Sequence, residues 1–305
     1  METERFDYIV IGAGPAGLAS AQYAARGGLK VVVLEGGAAG GQVLQINELE
    51  NYPGVFPMQN GADFMDAMQR QAESFGAVFK NVAVTSIDKA GENFVVKTRK
   101  LVFEAPALCI ATGAIHRDLG VPGEKELAGR GVSYCATCDG PFFQNKRIVV
   151  VGGGDSACSE AIYLLGISSD VTIVHRRDTF RAQKAVVDKM LEKGVKPVYD
   201  TVVKSINGSA KVESVTLENV KTGEVSELAC DGVFIFAGML PKTELVDMLP
   251  KDDAGYLVTD EKMETSVPGL FAAGDVRSKP FRQVVTAVSD GAIAAHAAAE
   301  MLMKK

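Results

Sequence analysis

The stretch Tyr8-Ile9-Val10-Ile11-Gly12-Ala13-Gly14-Pro15-Ala16-Gly17 decides the fold. A short run of apolar, mostly β-branched residues reads as a strand covered on both faces, as in a parallel sheet. Glycines follow at once. An alanine-rich helical segment runs from Leu18 to Ala25, Gly27-Gly28 ends it, and Val31-Val32-Val33-Leu34 resumes the strand pattern. This is a βαβ unit. In its G-x-G-x-x-G turn, the first glycine permits the tight bend and the second lets backbone approach a pyrophosphate. The third lets the helix pack closely on the sheet. The helix start offers amide donors and the positive end of its dipole to phosphate. Glu35 closes the second strand, where a carboxylate accepts hydrogen bonds from a ribose diol. A turn that served packing alone would leave Glu35 unexplained. Gly12, Gly14, Pro15, Ala16, Gly17 and Glu35 are therefore the expected frame of a dinucleotide site.

The pattern returns. Ile148-Val149-Val150-Val151 leads into Gly152-Gly153-Gly154-Asp155-Ser156-Ala157, then a helical segment to Leu165 and the strand Val171-Thr172-Ile173-Val174. Ala157 stands for the third glycine. His175 lies as far beyond Gly152 as Glu35 lies beyond Gly12, so His175-Arg176-Arg177 occupies the place of the ribose-binding acid, with Arg181 about one helical turn on. A carboxylate there would repel a 2′-phosphate, whereas guanidinium groups bind one through charge-assisted hydrogen bonds. The substitution predicts NADPH rather than NADH. The alternative is a solvated basic face balanced by Asp170 and Asp178.

The chain has five cysteines, Cys109, Cys135, Cys138, Cys158 and Cys230. A sparse, odd set is not a disulfide framework. Cys135-Ala136-Thr137-Cys138 has redox spacing, and a helix start beside it would lower a thiol pKa. Asp139, next in sequence, is the candidate acid–base group. Half of a zinc site is the competing reading, but the other cysteines are isolated and His116, His175 and His296 are scattered. An inert pair is the other. Cys109, Cys158 and Cys230 sit among apolar or small residues and read as core.

The 305 residues suggest about two domains, and 47% hydrophobic with 23% charged residues is ordinary for a globular protein. The net charge of −6, without a basic stripe, argues against nucleic-acid partners and an acidic membrane surface. No apolar run is long enough to span a bilayer. The acidic start Met1-Glu2-Thr3-Glu4-Arg5 is unlike a signal peptide, which points to the cytoplasm. Lys221-Thr222-Gly223 marks a hairpin, Val233–Phe236 and Leu270–Ala272 read as strands, and an alanine-rich helix is expected over Val284–Met303.

Through essentially its whole length the chain resembles the bacterial-type, low-molecular-weight thioredoxin reductases, flavoproteins with two dinucleotide-binding domains. The motifs are Gly12–Gly17, Gly40-Gly41-Gln42, Asn51-Tyr52-Pro53-Gly54, Ala111-Thr112-Gly113, Cys135–Asp139, Gly152–Ala157, His175–Asp178 with Arg181, and Gly274-Asp275 with Arg282-Gln283. The resemblance implies an α/β chain of two Rossmann-like domains. Residues 1–116 and 245–305 would bind FAD, with Gly36, Gly274, Asp275, Arg282, Gln283 and Val284 completing that site. Residues 117–244 would form an inserted NADPH domain carrying the cysteine pair. It also implies that Cys138 faces the flavin, that Cys135 attacks thioredoxin, and that Asp139 moves the proton. Arg130 and an exposed pair, Phe142-Phe143, would dock thioredoxin, and the enzyme would be a homodimer. The competing functions are a related reductase with another acceptor, peroxiredoxin-linked or glutaredoxin-like, and a flavin-bound sensor with little turnover. Because nicotinamide and disulfide must each reach one flavin from a single inserted domain, rotation is expected about hinges near Ala114–Arg117 and Lys242–Leu245.

Overall fold

The computed structural model describes residues 3–46, 49 and 51–303; Met1 and Glu2 of the acidic N-terminal stretch lie outside them. The chain forms two compact units. One comprises the residues up to Ile115 together with those from Leu240 onward; the other is His116–Met239.

The first unit is built on a five-stranded parallel sheet in the order Leu270–Ala272, Ala107–Ile110, Tyr8–Ile11, Val31–Glu35, Val78–Asn81. The unbroken apolar runs in its strands are explained by what covers them. Tyr8, Val10, Val31, Val33, Ala107 and Cys109 share one core with the helices Pro15–Arg26 and Val284–Met303. Ile9, Ile11, Val32, Leu34, Leu108 and Ile110 share the other with a second sheet, Thr3–Arg5, Val102–Ala105, Asn93–Thr98 and Val84–Ala90. Alternate residues thus serve alternate faces, and each fully buried Val, Ile or Leu contributes about 1.5–3 kcal/mol. The helix Gly61–Ser74 begins at Asn60, whose side chain accepts from the Asp63 N–H.

The second unit repeats the plan. Its parallel order is Val132–Ser133, Gly232–Phe236, Arg147–Gly152, Asp170–Val174, Lys196–Val198. Ile148, Val150, Val171, Ile173 and Phe234 pack with the helix Asp155–Leu165, while Val149, Val151, Val174, Val233 and Ile235 face an antiparallel sheet. That sheet contains the expected hairpin, Ser214–Asn219 with Val225–Ala229, and adds Thr201–Asn207 at its edge.

The boundary after the second unit falls earlier than expected, between Met239 and Leu240 rather than at 244–245. The reason is local bonding. The Lys242 N–H donates to the Gly113 carbonyl at 2.9 Å, and the Thr112 hydroxyl donates to the Lys242 carbonyl at 2.6 Å, so Lys242 is fastened within the first unit. The segment Lys242–Leu245, where a hinge is expected, lies just beyond this crossing, within the first unit.

Candidate active site

In the first unit, Gly14 caps the helix Pro15–Arg26 and Pro15 opens it. A side chain at Gly17 would put its Cβ 1.9 Å from the Gly12 carbonyl oxygen, whereas one at Gly14 would meet nothing within 4 Å. The third glycine is thus required by packing, and the second leaves open space where a phosphate group would approach. Glu35 does not stand free. Its Oε2 accepts from the Ala13 N–H and its Oε1 from the Gly37 N–H, both at 2.9 Å. These bonds fix the carboxylate against the glycine turn and retain lone pairs for a ribose diol.

The remaining residues of this set lie in the same unit, several of them at that turn. The Gly40 N–H donates to the Ala13 carbonyl at 2.7 Å, Gly41 approaches the Gly14 Cα, and Gln42 donates from Nε2 to the Ala114 carbonyl at 2.7 Å. Gly36 lies against Ala83. Asn51 donates from Nδ2 to Gln283 Oε1 at 3.0 Å. The Ala111 N–H donates to the Ile11 carbonyl, which brings Ala111-Thr112-Gly113 alongside Gly12. Gly274 approaches Ala16, and its N–H donates to Asp290. Val284 starts the last helix. Two buried polar atoms here lack hydrogen-bond partners: Asp275 Oδ1 and Arg282 Nε. Burial raises the Asp275 pKa against the opposing pull of Lys279 and Arg282. Orphaned polar atoms and open space beside Gly14 are what a polar dinucleotide would complete.

In the second unit, Gly154 caps the helix that Asp155 and Ser156 begin, and Gly154 again faces open space. Gly152 lies within reach of Ala157 Cβ, and Gly153 lies flat under the His175 ring. Asp155 Oδ1 accepts from the Gln183 N–H at 2.8 Å. His175 lies beneath this turn. It is 6% exposed, its Nε2 lies 3.0 Å from the Thr179 carbonyl, and it stacks on Phe180. Burial lowers its pKa, and its ring supports the glycine turn from beneath. Arg176, Arg177 and Arg181 are exposed, and the Arg181 N–H donates to the Gly153 carbonyl at 2.7 Å, tying that residue to the glycine turn.

Cys135 and Cys138 form a disulfide with Cα atoms 5.3 Å apart. Cys135 caps the short helix Ala136–Asp139. Its Sγ accepts from the Cys138 N–H at 3.1 Å and lies 3.4 Å from the Thr137 hydroxyl. Both groups would favour a Cys135 thiolate over a thiol. Cys135 is half-buried, Cys138 exposed, and Asp139 half-buried beside them. The other cysteines are buried, and burial pushes Cys109 and Cys230 up to about 12 and Cys158 to about 11.

Among the expected docking residues, Arg130 is exposed and donates to the Glu126 carbonyl, and Phe142 is 79% exposed. Phe143 departs from expectation. It is half-buried, packs edge-on against Phe234 with ring centroids 5.2 Å apart, and covers Gly232, so it belongs to the core.

Sequence reasoning passed over Glu124. This residue, 0% exposed, accepts from the N–H groups of Leu119 and Gly120 and from the Tyr134 hydroxyl, bracing the residue before Cys135. It had no motif to mark it. Only its burial does.

A glycine turn opening a helix in each of two Rossmann units, and a helix-capping disulfide in one of them, are the marks of a nucleotide-linked disulfide oxidoreductase. Comparison with known proteins agrees. The family model for pyridine nucleotide-disulphide oxidoreductases matches residues 6–291. Thioredoxin reductase of Treponema pallidum is 52% identical over 303 residues, covering 99% of this chain and 98% of the relative. Thioredoxin reductase of Bacillus subtilis is 46% identical over 297 residues, 96% of this chain and 94% of the relative. The crystal structure of Lactococcus lactis thioredoxin reductase in its FR conformation superposes with a TM-score of 0.95 at 44% identity, covering 98% of this chain and 100% of that one. The chain belongs to the pyridine nucleotide-disulphide oxidoreductase family and, within it, to the low-molecular-weight thioredoxin reductases.

Proposed function

We propose that this chain reduces the disulfide of thioredoxin with electrons from NADPH, passed through FAD in the first unit and the Cys135–Cys138 pair in the second. The observation that carries the reading is the disulfide on a helix cap, in the unit that also presents Arg176, Arg177 and Arg181 beside a second glycine turn. FAD, when bound, would supply the two-electron step between nicotinamide and disulfide.

The protein's residues supply the rest. Glu35 and the Gly12–Gly17 turn would hold the adenosine ribose and pyrophosphate of FAD. The Gly152–Ala157 turn would hold the pyrophosphate of NADPH, and the arginines its 2′-phosphate. Once the pair is reduced, the Cys135 thiolate attacks one sulfur of the thioredoxin disulfide. A mixed disulfide forms and one thioredoxin thiolate leaves. The Cys138 thiolate then attacks Cys135 Sγ, which restores the Cys135–Cys138 bond and releases the second thioredoxin thiol. Asp139, beside both sulfurs in sequence, carries the proton. Arg130 and Phe142 are the proposed docking contacts; Phe143 supports them from below. We also place the enzyme in the cytoplasm as a homodimer; no helix among the described residues is long and apolar enough to cross a membrane. Rotation of the inserted unit would let nicotinamide and disulfide take turns at the flavin.

The test is anaerobic NADPH titration of the purified protein, with its flavin identified, followed by a disulfide-reduction assay with and without thioredoxin. Uptake of two NADPH equivalents per chain, one electron pair on flavin and one on sulfur, together with thioredoxin-dependent NADPH consumption, is expected. Flavin reduction without new thiols, or a released cofactor identified as FMN, overturns the reading. Turnover with a glutaredoxin-like or peroxiredoxin-linked carrier and none with thioredoxin replaces the acceptor.

A further inference from the structure

Charged side chains cluster behind the loop that carries Asp275. The Lys279 side chain is 5% exposed, that of Asp290 9% and that of Arg277 13%. Lys279 Nζ lies 3.0 Å from Asp290 Oδ2 and 3.3 Å from the Thr286 hydroxyl. On its other side it lies 3.5 Å from Asp275 Oδ1, an ion partner at a length too great for a well-formed hydrogen bond. Asp290 is held in turn. Its Oδ2 accepts from the Gly274 N–H at 3.1 Å and its Oδ1 from Arg277 Nη1 at 3.3 Å, while Arg277 Nε donates to the Thr259 hydroxyl at 2.8 Å.

Burying an ammonium between two carboxylates is a poor way to gain stability, because desolvation offsets most of the attraction and an apolar side chain would serve as well. The arrangement has a directional consequence instead. Asp290, on the last helix, anchors Lys279, and Lys279 presents its remaining charge to Asp275. Asp275 Oδ1 is buried against Lys279, and the exposed part of the carboxylate, whose side chain is 33% exposed, is left to accept hydrogen bonds from a bound group.

We propose that Lys279 is a positioning residue for the flavin: clamped by Asp290, it keeps the Asp275 carboxylate ionised and available to accept hydrogen bonds from FAD. The inference rests on the reading that the first unit holds FAD. The charged groups acting on Asp275 are Lys279 and Arg282, which favour its ionised form, and Asp290, which opposes it, as does burial. Arg282 is engaged over the Tyr256 ring, 3.7 Å from its centroid. Without Lys279, Asp275 therefore loses the cation that most favours its ionised form and takes a proton at higher pH. A protonated Asp275 is a weaker acceptor, so flavin is lost.

The experiment uses the holoenzyme as purified. FAD release is followed by flavin fluorescence while the pH is lowered, and FAD affinity is measured by titrating the stripped protein, for wild type, Lys279→Met, Lys279→Arg and Asp290→Asn. Lys279→Met should weaken FAD binding about tenfold or more at pH 7, as for one lost charge-assisted contact, and move the release midpoint to higher pH. Lys279→Arg should restore most of both. Asp290→Asn leaves an amide oxygen that can still accept from Lys279 and removes a charge that opposes ionisation of Asp275, so its release midpoint should not rise. If Lys279→Met holds FAD within twofold of wild type with an unmoved midpoint, the proposal fails. If Asp290→Asn reproduces the Lys279→Met shift, the cluster is structural only and the proposal also fails. Should Lys279→Met not fold, Lys279→Gln, which removes the charge and keeps a polar end, carries the same distinction against Lys279→Arg. A wild-type protein that binds no FAD would instead refute the cofactor reading.

Discussion

The Asp178 carboxylate lies 3.3 Å from Lys221 Nζ and forms no ion pair with the arginines next to it in sequence. Lys221 also pairs with Asp200 at 2.9 Å, and Asp170 pairs with Lys196 at 2.9 Å. The two acids that could have neutralised the basic loop are thus occupied elsewhere. Among the described residues no ion pair involves Arg176, Arg177 or Arg181. Three exposed guanidinium groups beside a glycine turn are thus left without an ion-pair partner among the described residues.

Arg176→Ala combined with Arg177→Ala should raise the KM for NADPH by about tenfold to a hundredfold and leave that for NADH within about threefold. Hydrogen bonds to charged groups are worth about 1.5–3 kcal/mol, and exposure places these at the lower end. Steady-state kinetics with both nucleotides decides it. Equal losses would show that the pair does not read the 2′-phosphate.

Cys135→Ser and Cys138→Ser should both still take up hydride from NADPH onto the flavin, and neither should turn over thioredoxin. They should differ in trapping. Cys138→Ser, retaining the thiolate that the Cys138 N–H stabilises, should accumulate a mixed disulfide with thioredoxin, visible by non-reducing electrophoresis. Cys135→Ser should not, since serine supplies no thiolate for exchange. Trapping by the opposite variant would exchange the two roles, which the greater exposure of Cys138 makes a fair contest.

Alkylation of the NADPH-reduced native protein at pH 8 should modify Cys135 and Cys138 alone. Cys109, Cys158 and Cys230 are buried, and burial holds their thiols well above the ordinary range. Peptide mapping after a short iodoacetamide pulse reads this directly. Labelling of any of the three before denaturation would contradict the packing described here.

Glu160, on the helix Asp155–Leu165, has a buried Oε2 without a hydrogen bond, and burial raises its carboxyl from 4.5 to about 7. Below pH 4.5 the group is neutral in folded and unfolded chains and costs nothing through ionisation. Between pH 4.5 and 7 the unfolded chain gives up its proton while the folded one keeps it, so stability falls as pH rises, and above 7 the loss is complete. Glu160→Gln should therefore match wild type near pH 4 and exceed it at pH 8 by about 1–3 kcal/mol, read as the shift in urea midpoint. A stabilisation independent of pH would refute the assignment.

Both parallel sheets were legible because their signals are local. Four apolar residues, a glycine turn and a helical segment lie within one short window around Gly12, and again around Gly152. The antiparallel sheets were less so. Strands such as Asn93–Thr98 and Thr201–Asn207 mix polar and apolar residues because each leaves one face exposed in part. The helix Gly61–Ser74 carries only a cap at Asn60 and a narrow buried stripe.

The sequence by itself determined the two phosphate-binding turns, the acid that ends one unit, the basic loop that replaces it in the other, and the redox pair. Each is set by residue type and spacing within a few turns of chain, where backbone geometry leaves little choice. Tertiary structure alone decided the partners. It turned His175 inward onto Gly153, sank Phe143 against Phe234, gave Asp178 to Lys221, and brought Lys279 between Asp275 and Asp290. Burial and charge pairing depend on which groups arrive through space, and an ion pair across sheets or between a loop and a helix leaves no period in the chain that forms it.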